Sequence, residues 1–227
     1  MIEYDILIIG SGPGGYVAAV RAAQLGLKVA VIEKAETGGV CLNWGCIPTK
    51  ALLKSAQVLD YARHASDYGI IAGEAPAPDF SAVIARSRGV ADAMSKGVQY
   101  LFKKHDIQVI NGFGRLMSAG TVEVEAADGT KGTYNADHII IATGARSREL
   151  PNMKQDGKKI IGYREAMSLP SLPASMVVVG SGAIGSEFAG FYRSMGTEVT
   201  LVEFMPRILP LEDEEVSRTL ERSFKKV

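Results

Sequence analysis

The 227 residues carry 25 Lys plus Arg against 25 Asp plus Glu, and 47% are hydrophobic: enough chain for one large domain or two modest ones, and enough apolar side chain for a core. Balanced charge excludes a net field drawing the chain to nucleic acid or an anionic membrane, and no apolar run approaches the roughly 20 residues of a membrane span. The opening Met1-Ile2-Glu3-Tyr4-Asp5 is acidic and polar, unlike a secretory leader, so a soluble, cytoplasmic protein with a small-molecule partner is expected.

Residues 5–9 form a β-branched apolar run ending at Gly10, which suits a strand buried on both faces of a parallel sheet. A glycine turn follows, then an Ala-rich helix over 16–25, closed by Gly26, and a second strand over 28–33. Gly10, Gly12 and Gly15 form G-x-G-x-x-G between strand and helix. In that context Gly10 allows a tight turn, Gly12 a close backbone approach to a pyrophosphate, and Gly15 close packing of helix on strand, while the helix N-terminus favours phosphate. Glu33 is placed to accept from ribose hydroxyls.

Helices are expected over 50–68 and 80–104, separated by a Gly/Pro-rich loop at 73–78, then strands over 107–111, 121–125 and 133–134 with a turn at Asp128-Gly129. A further strand over 138–142 leads to Thr143-Gly144. The stretch 151–173 contains three prolines, and the domain junction is placed near its start, giving domains 1–148 and 149–227. Beyond it Gly10, Gly12, Gly15, Gly26 and Glu33 recur 170 positions later as Gly180, Gly182, Gly185, Gly196 and Glu203. The fold class is therefore α/β, with two nucleotide-binding beginnings on separate sheets. Glu203 favours NAD, because a carboxylate bonds a ribose 2′-hydroxyl and repels a 2′-phosphate.

The two cysteines, Cys41 and Cys46, sit in Gly38-Gly39-Val40-Cys41-Leu42-Asn43-Trp44-Gly45-Cys46-Ile47-Pro48-Thr49-Lys50. The spacing is not a usual zinc spacing, and no further Cys or His pair completes four ligands, so no metal is expected. Residues five apart on a regular helix are rotated by about 140°, so pairing them requires a distorted turn, which Gly45 and the glycines before the pair can supply. A thiol near a helix start is also activated as thiolate. Two buried, reduced, inert cysteines remain the alternative at this point.

This window, GG-x-C-x-N-x-G-C-x-P-x-K, together with the first glycine loop, Glu33, Ala142-Thr143-Gly144 and the loop 180–187, resembles the pyridine nucleotide–disulfide oxidoreductases, and most closely their dihydrolipoamide-oxidising members. Val40 and Thr49 depart from the Thr and Ser common there. The resemblance implies a Rossmann-like FAD-binding domain with a β-meander insertion, followed by the start of a Rossmann-like NAD-binding domain. It implies FAD held by Gly10, Ser11, Gly12, Pro13, Gly14, Gly15, Glu33, Lys34, Gly39, Val40, Lys50, Gly114, Ala142, Thr143 and Gly144. NAD would be held by Gly180, Gly182, Ile184, Gly185, Glu187 and Glu203. Cys41 and Cys46 would form a redox disulfide, Cys41 exchanging with the substrate dithiol and Cys46 lying beside the flavin, with Lys50 near the flavin and paired to Glu187.

The implied partners are a lipoyl domain of a 2-oxoacid dehydrogenase or glycine cleavage complex and, in the longer enzyme, a second copy in a homodimer. Members also use a C-terminal His-Pro motif that none of His64, His105 and His138 supplies. The chain is therefore expected to be part of a longer enzyme, ending inside an amphipathic helix that begins near 212, and to be inactive alone. Two readings stand beside this one: a reductase of the glutathione or mercuric type, and a non-catalytic FAD-binding module.

Overall fold

The computed structural model describes residues 2–71, 73 and 76–226; Glu74 and Ala75 of the expected loop, like Met1 of the opening pentapeptide, lie outside the described residues. The chain divides into two compact units, Met1–Pro48 with Arg88–Lys154 and Thr49–Ser87 with Gln155–Val227. Helices α3 (Cys46–Arg63) and α4 (Phe80–Lys104) run through the division, after α1 (Pro13–Gln24) and α2 (Gly39–Trp44).

In the first unit β1 (Ile2–Ile9), β2 (Val29–Glu33) and β3 (Gln108–Asn111) are parallel, and with β4 (Phe113–Ser118), β5 (Thr121–Glu125) and β6 (Lys131–Ile141) they form one sheet in the order β3-β2-β1-β6-β5-β4. The run expected to be buried on both faces is so. Leu7 and Ile9 point into one cluster with Ile32 and Val124, while Ile8 and Val31 point into another with Ala19, Val98 and Phe102 of α1 and α4. Alternation within an all-apolar strand has no polar face to offer, so both sides must be covered.

The meander is present, with two differences from the expected strands. Residues 133–134 and 138–141 belong to one strand, β6, whose first half pairs antiparallel with β5 and whose second half pairs parallel with β1, while Ala142 lies just past its end. Asn135 and Asp137, in the gap between the two expected strands, are polar, yet both lie within the strand, where Asp137 is exposed. Strand β4 was not expected: its residues are nearly all exposed, so no period of two marks it. Helix α1 starts at Pro13, whose fixed φ suits the first helical position, rather than at residue 16. The expected helix over 50–68 begins earlier, at Cys46, and ends at Arg63 before a 3-10 turn over Ala65–Tyr68.

In the second unit β7 (Ser175–Val179) and β8 (Glu198–Val202) form a two-stranded parallel sheet joined by α6 (Ala183–Met195). Phe188, Phe191, Tyr192 and Met195 of α6 pack with Leu52, Ala56 and Leu59 of α3, Phe80, and Met167, which follows the short α5 (Tyr163–Ala166). The Tyr192 hydroxyl donates to the Ala166 carbonyl at 2.6 Å, which settles the polar atom of a fully buried ring. Helix α7 (Glu214–Phe224) begins with Asp213 accepting from the Glu215 N–H at 2.8 Å, an N-cap of the ordinary kind. Among the described residues no helix is long and apolar enough to cross a membrane.

Candidate functional site

The first glycine loop is built by crowding. Gly10 has φ +104°, and a Cβ there would lie 2.2 Å from the Ala142 carbonyl oxygen, because Ala142 pairs with the end of β1 through its N–H and the Ile9 carbonyl at 2.8 Å. A Cβ on Gly15 would lie 1.9 Å from the Gly10 oxygen, and one on Gly39 would lie 2.8 Å from the Gly12 Cα. Gly14 is looser, its nearest neighbour being the Ala142 Cβ at 3.8 Å. Gly12 meets nothing within 4 Å and no side chain caps α1. An uncapped helix start behind an open glycine leaves backbone donors and room for a pyrophosphate, so these residues fit the dinucleotide of a flavin.

Glu33 closes this cradle. Ser11 donates to Glu33 Oε2 from its backbone at 2.9 Å and from its hydroxyl at 2.6 Å, and Oε1 accepts from the N–H groups of Lys34 and Ala35, each at 2.9 Å. The Ser11 hydroxyl also accepts from the Gly38 N–H at 3.2 Å. One serine thus ties the loop, the end of β2 and the start of the cysteine window together. Lys34 lies over the Phe113 ring at 5.4 Å. Gly114 on β4 approaches Ile9 and Ile32, where a Cβ would stand 3.2 Å from each Cγ2, and Thr143 and Gly144 lie exposed beyond β6.

The cysteine window supplies the distortion the spacing demands. Cys41 lies in α2, Gly45 breaks the helix with φ −147° and ψ −115°, and Cys46 opens α3. A Cβ at Gly45 would stand 3.0 Å from the Val40 oxygen and 3.3 Å from the Cys41 Cα, so the backbone closes where only glycine fits. Cys41 is half-buried; Cys46 is exposed with a free thiol, so the pair is not bridged in this structure. Val40 is exposed beside them. Asn43 donates from Nδ2 to the carbonyls of Thr37 and Gly39 at 2.9 and 3.0 Å, fixing the helix start.

Three residues around the window were not singled out from sequence. Arg88 of α4 donates through Nη2 to the Asn43 carbonyl and lies over the Trp44 ring at 4.2 Å, and Trp44 Nε1 donates to Glu36 at 3.0 Å. Burial pulls the Arg88 pKa down, and the charge of Glu36 pushes it back up. They border a cleft of about 470 Å³ that Ser95, Gln99 and Asn111 also line. No periodicity marks an arginine that turns toward a neighbouring helix, so pattern reading had no signal for it.

In the second unit the loop is repeated with one addition. Ser181, absent from the expected site residues, donates to Glu203 Oε2 from its backbone at 2.8 Å and its hydroxyl at 2.6 Å, and Oε1 accepts from the Met205 N–H at 2.9 Å. The 170-residue offset that maps Glu33 on Glu203 also maps Ser11 on Ser181 and could have found it. These bonds, with the Met205 N–H foremost, hold the Glu203 carboxyl well below its ordinary value, at about 2. Gly182 is open within 4 Å, α6 has no side-chain cap, and Ile184 is exposed, so this start also fits a dinucleotide. Lys50 Nζ and Glu187 Oε1 form an ion pair, with the lysine side chain 64% exposed. An exposed pair contributes only about 0–1 kcal/mol, which suits positioning better than stability. Among the described residues no cluster of His, Cys, Asp and Glu could hold a metal.

Residues 4–227 match the family described as pyridine nucleotide-disulphide oxidoreductase. The chain is 51% identical to a dihydrolipoyl dehydrogenase of Rhizobium etli, over 99% of this chain and 50% of that protein, and 50% identical to one of Zymomonas mobilis, over 99% and 48%. The crystal structure of LpdA from Mycobacterium tuberculosis superposes with a TM-score of 0.89 at 31% identity, over 100% of this chain and 50% of that one. The chain spans about half the length of the curated relatives it matches.

Proposed function

The chain belongs to the pyridine nucleotide–disulphide oxidoreductase family, and we propose that it is the FAD-binding and partial NAD-binding portion of an enzyme that oxidises protein-bound dihydrolipoamide and reduces NAD+. The observation that carries the reading is the Gly45 break, which sets Cys41 and Cys46 on two successive helices while Gly39, two residues before Cys41, touches Gly12 of the first glycine loop. The two thiols proposed to form a redox disulfide therefore sit beside the turn that approaches the phosphate cradle. In this reading residues 1–148 bind FAD and 149–227 begin the NAD domain.

The roles follow from chemistry. A substrate thiolate attacks Cys41, Cys46 leaves as thiolate, and the second substrate thiol closes the lipoyl ring and frees Cys41, so two electrons stay on the cysteine pair and two protons pass to solvent. FAD, when bound, supplies the route for those electrons to NAD+. Gly12, Ser11 and Glu33 hold one dinucleotide and Gly182, Ser181 and Glu203 the other; the Glu203 carboxylate supports NAD over NADP. Lys50, oriented by Glu187, places positive charge where reduced flavin and thiolate need it. A lipoyl domain is the proposed substrate carrier and a second copy of the longer enzyme the proposed dimer partner, consistent with the names of the relatives.

Reduction of the FAD-loaded protein by one equivalent of dithiol tests the site. A long-wavelength thiolate–flavin band that Cys46→Ser abolishes is expected; an unchanged band in Cys46→Ser overturns the assignment of Cys46. Turnover of dihydrolipoamide by residues 1–227 alone, at a rate comparable with the R. etli enzyme, would overturn the claim that this portion is insufficient.

A further inference from the structure

Helix α2 has only six residues. With one and a half turns, nearly all of its terminal carbonyls lack intrahelical donors, and such a segment does not hold its shape unaided. Its first turn is held by Asn43, as described above, and the Thr37 carbonyl that Asn43 uses also accepts from the Ser95 hydroxyl of α4 at 2.8 Å. Its last turn is held by Arg88. The guanidinium donates to the Asn43 carbonyl at the negative end of α2, and its face covers the Trp44 ring, while Trp44 is anchored on its far edge by Glu36.

Arg88 Nη1 is buried and, among the described residues, has no hydrogen-bond partner. A guanidinium buried with one nitrogen unsatisfied is a poor device for stability alone. Its hydrogen bond and its ring contact both land on the residues immediately before Gly45, where the chain turns from Cys41 to Cys46.

We infer that Arg88 is a positioning residue for the cysteine pair: by clamping the Asn43 carbonyl and the Trp44 ring it fixes the Gly45 break and hence the spacing at which Cys41 and Cys46 exchange with a dithiol. This rests on the redox role proposed above. A compact ammonium could keep the charge but not the planar contact with the ring together with the carbonyl bond. Release of the clamp lets the end of α2 fray, and misplacement of reacting groups by small distances costs rate heavily.

The test uses the FAD-loaded longer enzyme of which this chain is proposed to be a portion, because residues 1–227 alone are expected to be inactive, and two assays: NAD+-linked oxidation of dihydrolipoamide, which needs the cysteines, and NADH-dependent reduction of two ferricyanides with release of one proton, which does not. Arg88→Met is expected to lower kcat for the dithiol reaction about tenfold, a conservative fraction of the loss that a misplacement of about 1 Å causes, with KM for NAD+ and the ferricyanide rate within about twofold of wild type. Arg88→Lys is expected to behave like Arg88→Met, and Trp44→Leu combined with Arg88→Met to fall no further than either alone. Retention of at least half the dithiol rate in Arg88→Met overturns the inference, as does a parallel fall of both assays, which marks a purely structural role. Should Arg88→Met fail to fold, Arg88→Lys decides by the same criteria. A wild type that reduces ferricyanide but not NAD+ with dihydrolipoamide overturns the underlying redox reading, an outcome distinct from wild-type activity that Arg88 substitutions leave untouched.

Discussion

The β1–α1–β2 and β7–α6–β8 units are the same device in two settings. Each ends its helix with a left-handed glycine, Gly26 at φ +86° and Gly196 at φ +115°, and each locks its glutamate onto the loop serine through the same oxygen. What differs is the cover. Every residue of β2 except Glu33 is buried, whereas β7 and β8 alternate between exposed and half-buried. Gly10 is pressed by the Ala142 carbonyl, while Gly180 has open space around it. The geometry of the glycine turn is thus intrinsic to the local sequence, and the intolerance of that turn to change comes from what packs on it.

Gly10→Ala against Gly180→Ala is the sharpest way to break this comparison. Both force a side chain into positive φ, at about 1–3 kcal/mol, but only Gly10→Ala adds a clash with a carbonyl 2.2 Å away, worth about 1–3 kcal/mol more. Urea unfolding is expected to show the larger loss in Gly10→Ala; equal losses would mean that the turn, not its cover, sets tolerance. Next, Ile32→Ala is expected to cost about 2–5 kcal/mol, while its 170-offset counterpart Val202→Ala, 45% exposed, costs under about 0.5 kcal/mol, measured the same way. Ser11→Ala removes a bond to a carboxylate and leaves the Gly38 N–H on the Ser11 carbonyl alone, at 3.1 Å, a loss of about 1.5–3 kcal/mol that lowered FAD retention on gel filtration should accompany.

The smallest effect is a pH dependence. The Glu203 carboxyl titrates at about 2 in the folded chain against 4.5 ordinarily, so its contribution to stability is fully present above pH 4.5 and is lost as pH falls toward 2. Ser181→Ala is expected to move the Glu203 titration, followed by carboxyl carbon NMR, back toward 4.5; an unmoved titration would mean that the backbone N–H donors, Met205 foremost, hold it down without the hydroxyl.

Much of this was legible in sequence because it depends on glycine. At Gly10, Gly15, Gly185 and Gly45 a Cβ would meet backbone, and Gly26, Gly180 and Gly196 take positive φ; such constraints leave a visible residue. The glutamates were legible for the same reason, as ends of strands of fixed length. Strand β4, the unity of β6 and the Arg88 clamp were not legible. Exposed strands have no burial period, polar Asn135 and Asp137 imitate a turn, and the reach of a long side chain to another helix leaves no trace in spacing.

The serine–glutamate clasp constrains how the chain can drift. Each carboxylate already has both oxygens committed to backbone and serine donors, so replacing either acid strands a serine hydroxyl and N–H, and replacing either serine loosens the acid. Positions 11 and 33, and separately 181 and 203, form coupled pairs in which a first substitution penalises the site until the second follows. Divergent copies of this chain are therefore expected to change each pair together, and the two pairs independently of one another.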